Sequence, residues 1–166
     1  MLHRLVYCVL VAFCFLLGAC QGYDFTVNEK VVYTPVPLFT GFSTPDPGLK
    51  SCLDRAINDG VITAADQLTS LDCSFAGIEN LEGLALFREL KSLRLSANKV
   101  SNVVELSKFN ALEELYLDDN QIIDPVPLYH LAALRRVDLS GNDNLECPNR
   151  ASLAHVADVI LPDHCR

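Results

Sequence analysis

Apolar residues return along this chain with a period of 22. The segment Leu90-x-x-Leu93-x-Leu95-x-x-Asn98-x-Val100 is followed by Leu112-x-x-Leu115-x-Leu117-x-x-Asn120-x-Ile122, then by Leu134-x-x-Val137-x-Leu139-x-x-Asn142. One period upstream stand Leu68, Leu71, Cys73, Ala76 and Ile78, and one period downstream stand Val156, Val159 and Leu161. The alternation inside each segment predicts a short strand with apolar side chains on one face and polar ones on the other. The second half of each period is patterned by threes: Leu81, Leu84 and Phe87 recur as Val103, Leu106 and Phe109, then as Pro125, Leu128 and Leu131. That spacing predicts a short helical or 3₁₀ turn opposite the strand.

A unit of this size cannot bury its apolar face alone, so the units must stack. Stacking predicts a parallel concave sheet of about five strands with a continuous leucine core behind it. Asn98, Asn120 and Asn142 fall where the chain leaves a strand, where a side-chain amide can satisfy backbone groups left unpaired by the turn. This ladder resembles the leucine-rich repeat, and its 22-residue period resembles the internalin-like class of bacterial repeats over residues 49–166. The resemblance implies an α/β fold, a right-handed curved solenoid that binds protein through its concave face. Members of that class that engage host receptors carry many more repeats and usually a further domain. About five strands ending at Arg166 point away from host adhesion.

Solenoid ends need caps. Ser51-x-x-Asp54 is expected to open a short amphipathic helix with Leu53, Ala56 and Ile57 on one side, closed by Gly60. Of the three pairings open to Cys52, Cys73, Cys147 and Cys165, the repeat register favours Cys52–Cys73 at the N-terminal cap and Cys147–Cys165 at the C-terminal end. Pairing Cys52 with Cys165 would join opposite ends of the solenoid. A buried free thiol at Cys73, in a leucine position, is the alternative.

The run LVYCVLVAFCFLLGA over residues 5–19, behind Arg4, is too short for a membrane span and has the form of an export signal. Its end, Leu17-Gly18-Ala19-Cys20, resembles the lipobox of bacterial lipoproteins. The resemblance implies cleavage after Ala19, lipidation of Cys20 and a membrane anchor. Gln21, rather than aspartate, points to the outer membrane by the same resemblance. An ordinary secretory signal with a chance cysteine is the alternative. The expected organisation is a signal peptide over 1–19, a lipidated N-terminus and extended arm over 20–48, a helical cap over 49–67 and the solenoid with its C-terminal cap over 68–166. Prolines 35, 37, 45 and 47 keep the arm extended, while Phe25, Val31, Leu38, Phe39 and Phe42 make it too apolar for a plain spacer. It is expected either to pack on the solenoid, to dock elsewhere or to act as a tether.

Without residues 1–19 the chain keeps 12 basic against 21 acidic residues. Such a balance argues against nucleic acid and anionic headgroups as partners. The register places Asp72, Arg94, Tyr116, Asp138 and Ile160 in the central outward column. Ser70, Ser92, Glu114, Arg136 and Asp158 flank it on one side, and Ser74, Ser96, Asp118 and Ser140 on the other; Phe75 and Asp119 stand at strand ends. Arg94 and Tyr116 are the expected anchors for a protein partner, with Asp138, Asp72, Glu114, Arg136 and Asp118 around them. The same face also reads as a solvated sheet with charges paired across strands.

Catalysis has little to stand on. His130, His155 and His164 are scattered, adjacent Asp118 and Asp119 point different ways, and His155, Asp158, Asp163 and His164 match no metal spacing. The expectation is a monomeric, non-catalytic binding protein with no cofactor and no metal; a structural envelope component docked through its apolar arm or convex face is the alternative.

Overall fold

The computed structural model describes residues 25–27, 30–149 and 151–166. The expected signal peptide, Cys20 and Gln21 lie outside them. The chain divides after Pro37 into two units. In the first, β1 (Phe25–Val27) and β2 (Lys30–Tyr33) form an antiparallel pair with Phe25 opposite Tyr33 and an irregular register between Phe25 and Thr26. The arm was expected to be extended, but its pairing has no counterpart in the sequence reading.

The second unit begins at Leu38. Helix α1 spans Pro47–Asp59, four residues earlier than the Ser51 start expected from sequence. Asp46 is the N-cap: its side chain accepts from the Leu49 N–H at 2.9 Å, and Pro47 takes a first-turn position where its missing N–H costs nothing. Ser51 is therefore inside the helix. Gly60 does close it, in a right-handed conformation, donating to the Ala56 carbonyl. Leu49, Cys52, Leu53 and Ile57 are the buried stripe.

Five strands follow: β3 (Ser70–Asp72), β4 (Ser92–Arg94), β5 (Glu114–Tyr116), β6 (Arg136–Asp138) and β7 (Asp158–Ile160). They form one parallel sheet in chain order, and each pairs with its neighbour at the 22-residue register. Short 3₁₀ turns at Leu84–Leu86, Val104–Lys108 and Val126–His130 occupy the convex halves. The molecule is a leucine-rich-repeat solenoid.

Its core is the ladder itself. Leu93, Leu95, Leu115 and Leu117 from the strands and Phe87, Leu106, Phe109 and Leu128 from the convex side are completely buried. Each such side chain is worth about 1.5–3 kcal/mol relative to exposure. Between them run the asparagines. Asn120 Oδ1 accepts from Val100 N–H at 2.9 Å, while its amide donates to the carbonyls of Leu95 at 2.8 Å and Leu117 at 3.1 Å. Asn98 and Asn142 repeat the arrangement one period either way. Each amide thus bonds two successive turns together, and no described buried side-chain nitrogen or oxygen lacks a partner.

Both ends are fastened as the register suggested. Cys52 of α1 is bonded to Cys73 beside β3, and Cys147 to Cys165 beyond β7. The free-thiol alternative for Cys73 is thereby set aside. The stretch preceding α1 packs as well: Leu38, Phe39 and Phe42 lie against the core, and the Phe39 N–H donates to the Ile62 carbonyl at 2.8 Å. The rings of Phe39 and Phe42 meet the buried Phe87 edge-on, at 6.0 and 5.9 Å between centroids. This stretch also passes so close to the first convex turn that a Cβ on Gly83 would lie 2.2 Å from the Ser43 carbonyl oxygen. Gly83 has φ 91, so both its conformation and the approach demand glycine.

Candidate binding face

Each strand is three residues long, with its middle residue in the core and its ends turned outward. In-register parallel pairing places outward residues one period apart side by side, so single side chains become columns. Asp72, Arg94, Tyr116, Asp138 and Ile160 form the column expected from sequence, and Ser70, Ser92, Glu114, Arg136 and Asp158 form its neighbour.

Charged and aromatic groups are already in contact along these columns. The Arg94 guanidinium sits over the Tyr116 ring at 3.9 Å from its centroid, a cation–π contact worth about 0.5–1 kcal/mol at an exposed site. Arg136 pairs with Asp158 at 2.9 Å. The Tyr116 hydroxyl and then Asp158 hold the Arg136 guanidinium above its ordinary pKa. The Ser74 hydroxyl and amide, bonded to Asp72 at 2.6 and 3.0 Å, hold that carboxyl below its usual range, with Arg94 assisting. The Asp138 carboxylate accepts from the Ser140 hydroxyl and amide at 2.6 and 3.0 Å. Ser96 donates to Asp118 at 2.6 Å. The face is an ordered polar lattice with Arg94 and Tyr116 near its centre. Cross-strand pairing and an open, preorganised surface coexist on it.

A second row lies just past the strands. Phe75, Ala97, Asp119 and Gly141 stand one period apart, all left-handed, with φ 57, 53, 54 and 70. The N–H of Phe75, Ala97 and Asp119 donates to Ser96, Asp118 and Ser140 carbonyls respectively, linking each turn to the next strand's exit. Sequence register put Phe75 at a strand end among the outward positions, and its side chain is 83% exposed. The signal for its left-handed turn was its column, whose Asp119 and Gly141 are residues that accept φ > 0.

The other sequence candidates separate. Asp118 is half-buried on the concave side, whereas Asp119 is exposed in the turn, so they share no cleft. His155 and His164 each bring Nε2 to a backbone carbonyl, Leu131 at 3.2 Å and Leu145 at 3.0 Å. Asp158 and Asp163 are paired with Arg136 and Arg166. Among the described residues one grouping has metal-ligand proximity, Cys147, His164 and Cys165, and its two sulfurs are joined to each other. One recess of about 450 Å³ lies on the convex side among Glu79, Glu82, Asn102 and Glu105, and a smaller, mainly apolar one lies near the C-terminal end among Leu153, Val159 and Leu161.

No family model matches the chain, and no curated protein matches it in sequence. Solved structures do. Internalin C2 of Listeria monocytogenes aligns at 18% identity over 74% of this chain and 69% of that one, with a TM-score of 0.58. A second internalin of the same species aligns at 18% identity over 69% of this chain and 42% of that one, with a TM-score of 0.50. At such identity the likeness speaks to architecture, and the chain has an internalin-like leucine-rich-repeat fold.

Proposed function

We propose that this chain is a non-catalytic binding module that engages a protein partner through its concave face. The Arg94–Tyr116 stack carries the reading, because it places two residue types favoured at interface centres in the middle of a preorganised, solvent-facing column. Preorganisation lowers the entropy cost of binding, since the side chains are already held. The likeness to internalins supports a protein-binding scaffold. The acid excess of the chain disfavours nucleic acid.

The Leu17-Gly18-Ala19-Cys20 sequence supports export as a lipoprotein anchored through Cys20, and Gln21 supports the outer membrane. Two or more acyl chains on Cys20 would anchor firmly. Cys20→Ser should release the protein from membranes; membrane retention of that variant, with no labelled fatty acid in the wild type, contradicts the anchor. Docking through the arm is the weaker reading, because Phe39 and Phe42 are engaged with Phe87 inside the chain.

Retention of envelope protein by the immobilised chain tests the binding face. Arg94→Ala and Tyr116→Ala should fold with a stability loss of no more than about 1 kcal/mol, the worth of their mutual contact, and lose retention about tenfold or more, as interface anchors do. Equal retention by wild type and both variants would overturn the reading.

A further inference from the structure

The turn row contains an exception. Gly141 has no Cβ to strain, Asp119 tolerates the left-handed region, and Ala97 is small. Phe75 is bulky, sits at φ 57 and leaves 83% of its surface in solvent. It takes no part in the buried core. The repeat imposes the left-handed turn here as it does at Ala97 and Asp119, so what neither local preference nor packing explains is a bulky, exposed ring in that position. A phenyl ring offers a large apolar contact at little entropy cost.

The surroundings say what would meet it. Asp72 lies on the strand that leads to Phe75. Asp119 takes the same turn position two strands away, about 10 Å at ordinary strand spacing. Asp118 and Asp138 stand on the sheet beside it. Arg136 is paired with Asp158, while Arg94, over the uncharged Tyr116 ring and in register with Asp72, keeps its charge and offsets that of Asp72. The serines hold Asp118 and Asp138 by hydrogen bonds that leave their charge in place. Arg55 of α1 lies near Phe75 on the capped side, so the acidic track runs from Phe75 toward β6.

We propose that the rim from Phe75 to Asp119, with Asp118 and Asp138 beside it, receives a basic segment of a protein partner. Its Lys or Arg side chains meet the carboxylates, and an apolar side chain packs on the Phe75 ring. This inference rests on the concave-face reading and adds the chemistry of the partner. An extended segment of about seven residues spans the five strands.

The test uses the full chain to select from displayed random peptides of about ten residues, enough to cross the sheet. The expected result is enrichment of Lys and Arg around an apolar residue, with affinity falling as salt rises. Phe75→Asn should lose at least about tenfold in affinity for the selected peptides while unfolding no earlier than wild type, because asparagine tolerates this turn. Asp118→Asn with Asp138→Asn should weaken binding and flatten its salt dependence. Neutral or acidic peptides, no enrichment, or undiminished binding by Phe75→Asn would each overturn the proposal. So would a concentration-dependent dimer abolished by Phe75→Asn, since a second copy would then be the occupant. Loss of partner retention in Arg94→Ala and Tyr116→Ala would survive any of these results, so the two readings fail separately.

Discussion

Asparagine in this molecule is a structural part with a defined energetic value. Asn120→Ala would strand the Val100 N–H and the Leu95 and Leu117 carbonyls in the core. The expected cost is about 2–4 kcal/mol, because buried groups lose partners that water cannot replace. Urea unfolding measures it, and a loss below about 0.5 kcal/mol would contradict this role. Asp46 is a second such part, buried and accepting from Leu49, Glu79 and Asn80. Burial alone would raise its pKa, but those backbone donors together lower it. A lowered folded pKa means stability present above the unfolded value and lost as pH falls through the folded one. Asp46→Ala should therefore cost about 1–2 kcal/mol at neutral pH and less in acid, where wild-type Asp46 is itself protonated. Phe75→Asn should add up to about 1 kcal/mol by relieving the left-handed strain. The asparagines were legible because their spacing repeats three times. Asp46 was not, because Asp-Pro-Gly also reads as a turn and Ser51-x-x-Asp54 offered a competing start.

At the level of elements, the two crosslinks differ in setting more than in kind. Cys52 and Cys73 are buried between α1 and β3, whereas Cys147 is exposed. Limited reductant should open Cys147–Cys165 first, and alkylation with mass mapping would show the order; simultaneous opening would contradict it. Replacing Cys147 and Cys165 by serine removes a loop closure of 18 residues, about 3 kcal/mol in the chain-entropy model. The effect should be greatest at β7, the outer strand, whose amides should lose hydrogen-exchange protection before those of β5. Strands and convex turns could be read from the chain, because a 22-residue period repeats the same burial problem five times. The β1–β2 pair and the packing of Phe39 and Phe42 occur once each, and a contact without repetition leaves no pattern to align. Phe39 found its partner in Phe87, which the ladder had already committed to the core.

Across the repeat unit from Leu38 to Arg166, what holds one turn to the next is separated from what the concave surface displays. Leucines, asparagines and disulfides hold one turn to the next, and little of that machinery reaches the concave surface. That surface is free to carry Arg94, Tyr116 and the serine-held carboxylates. Its columns were legible because parallel, in-register pairing turns sequence spacing into spatial adjacency. The contact of Arg94 with Tyr116 was not, since spacing does not reveal a rotamer. The most direct measurement is site-specific photo-crosslinking in intact cells, with probes at Arg94, Tyr116 and Asp138 on the concave side and at Val104 and Val126 on the convex side. A discrete protein adduct from the concave positions, absent from the convex ones, is the predicted result. Adducts from Val104 and Val126 with none from the central column would contradict concave-face binding.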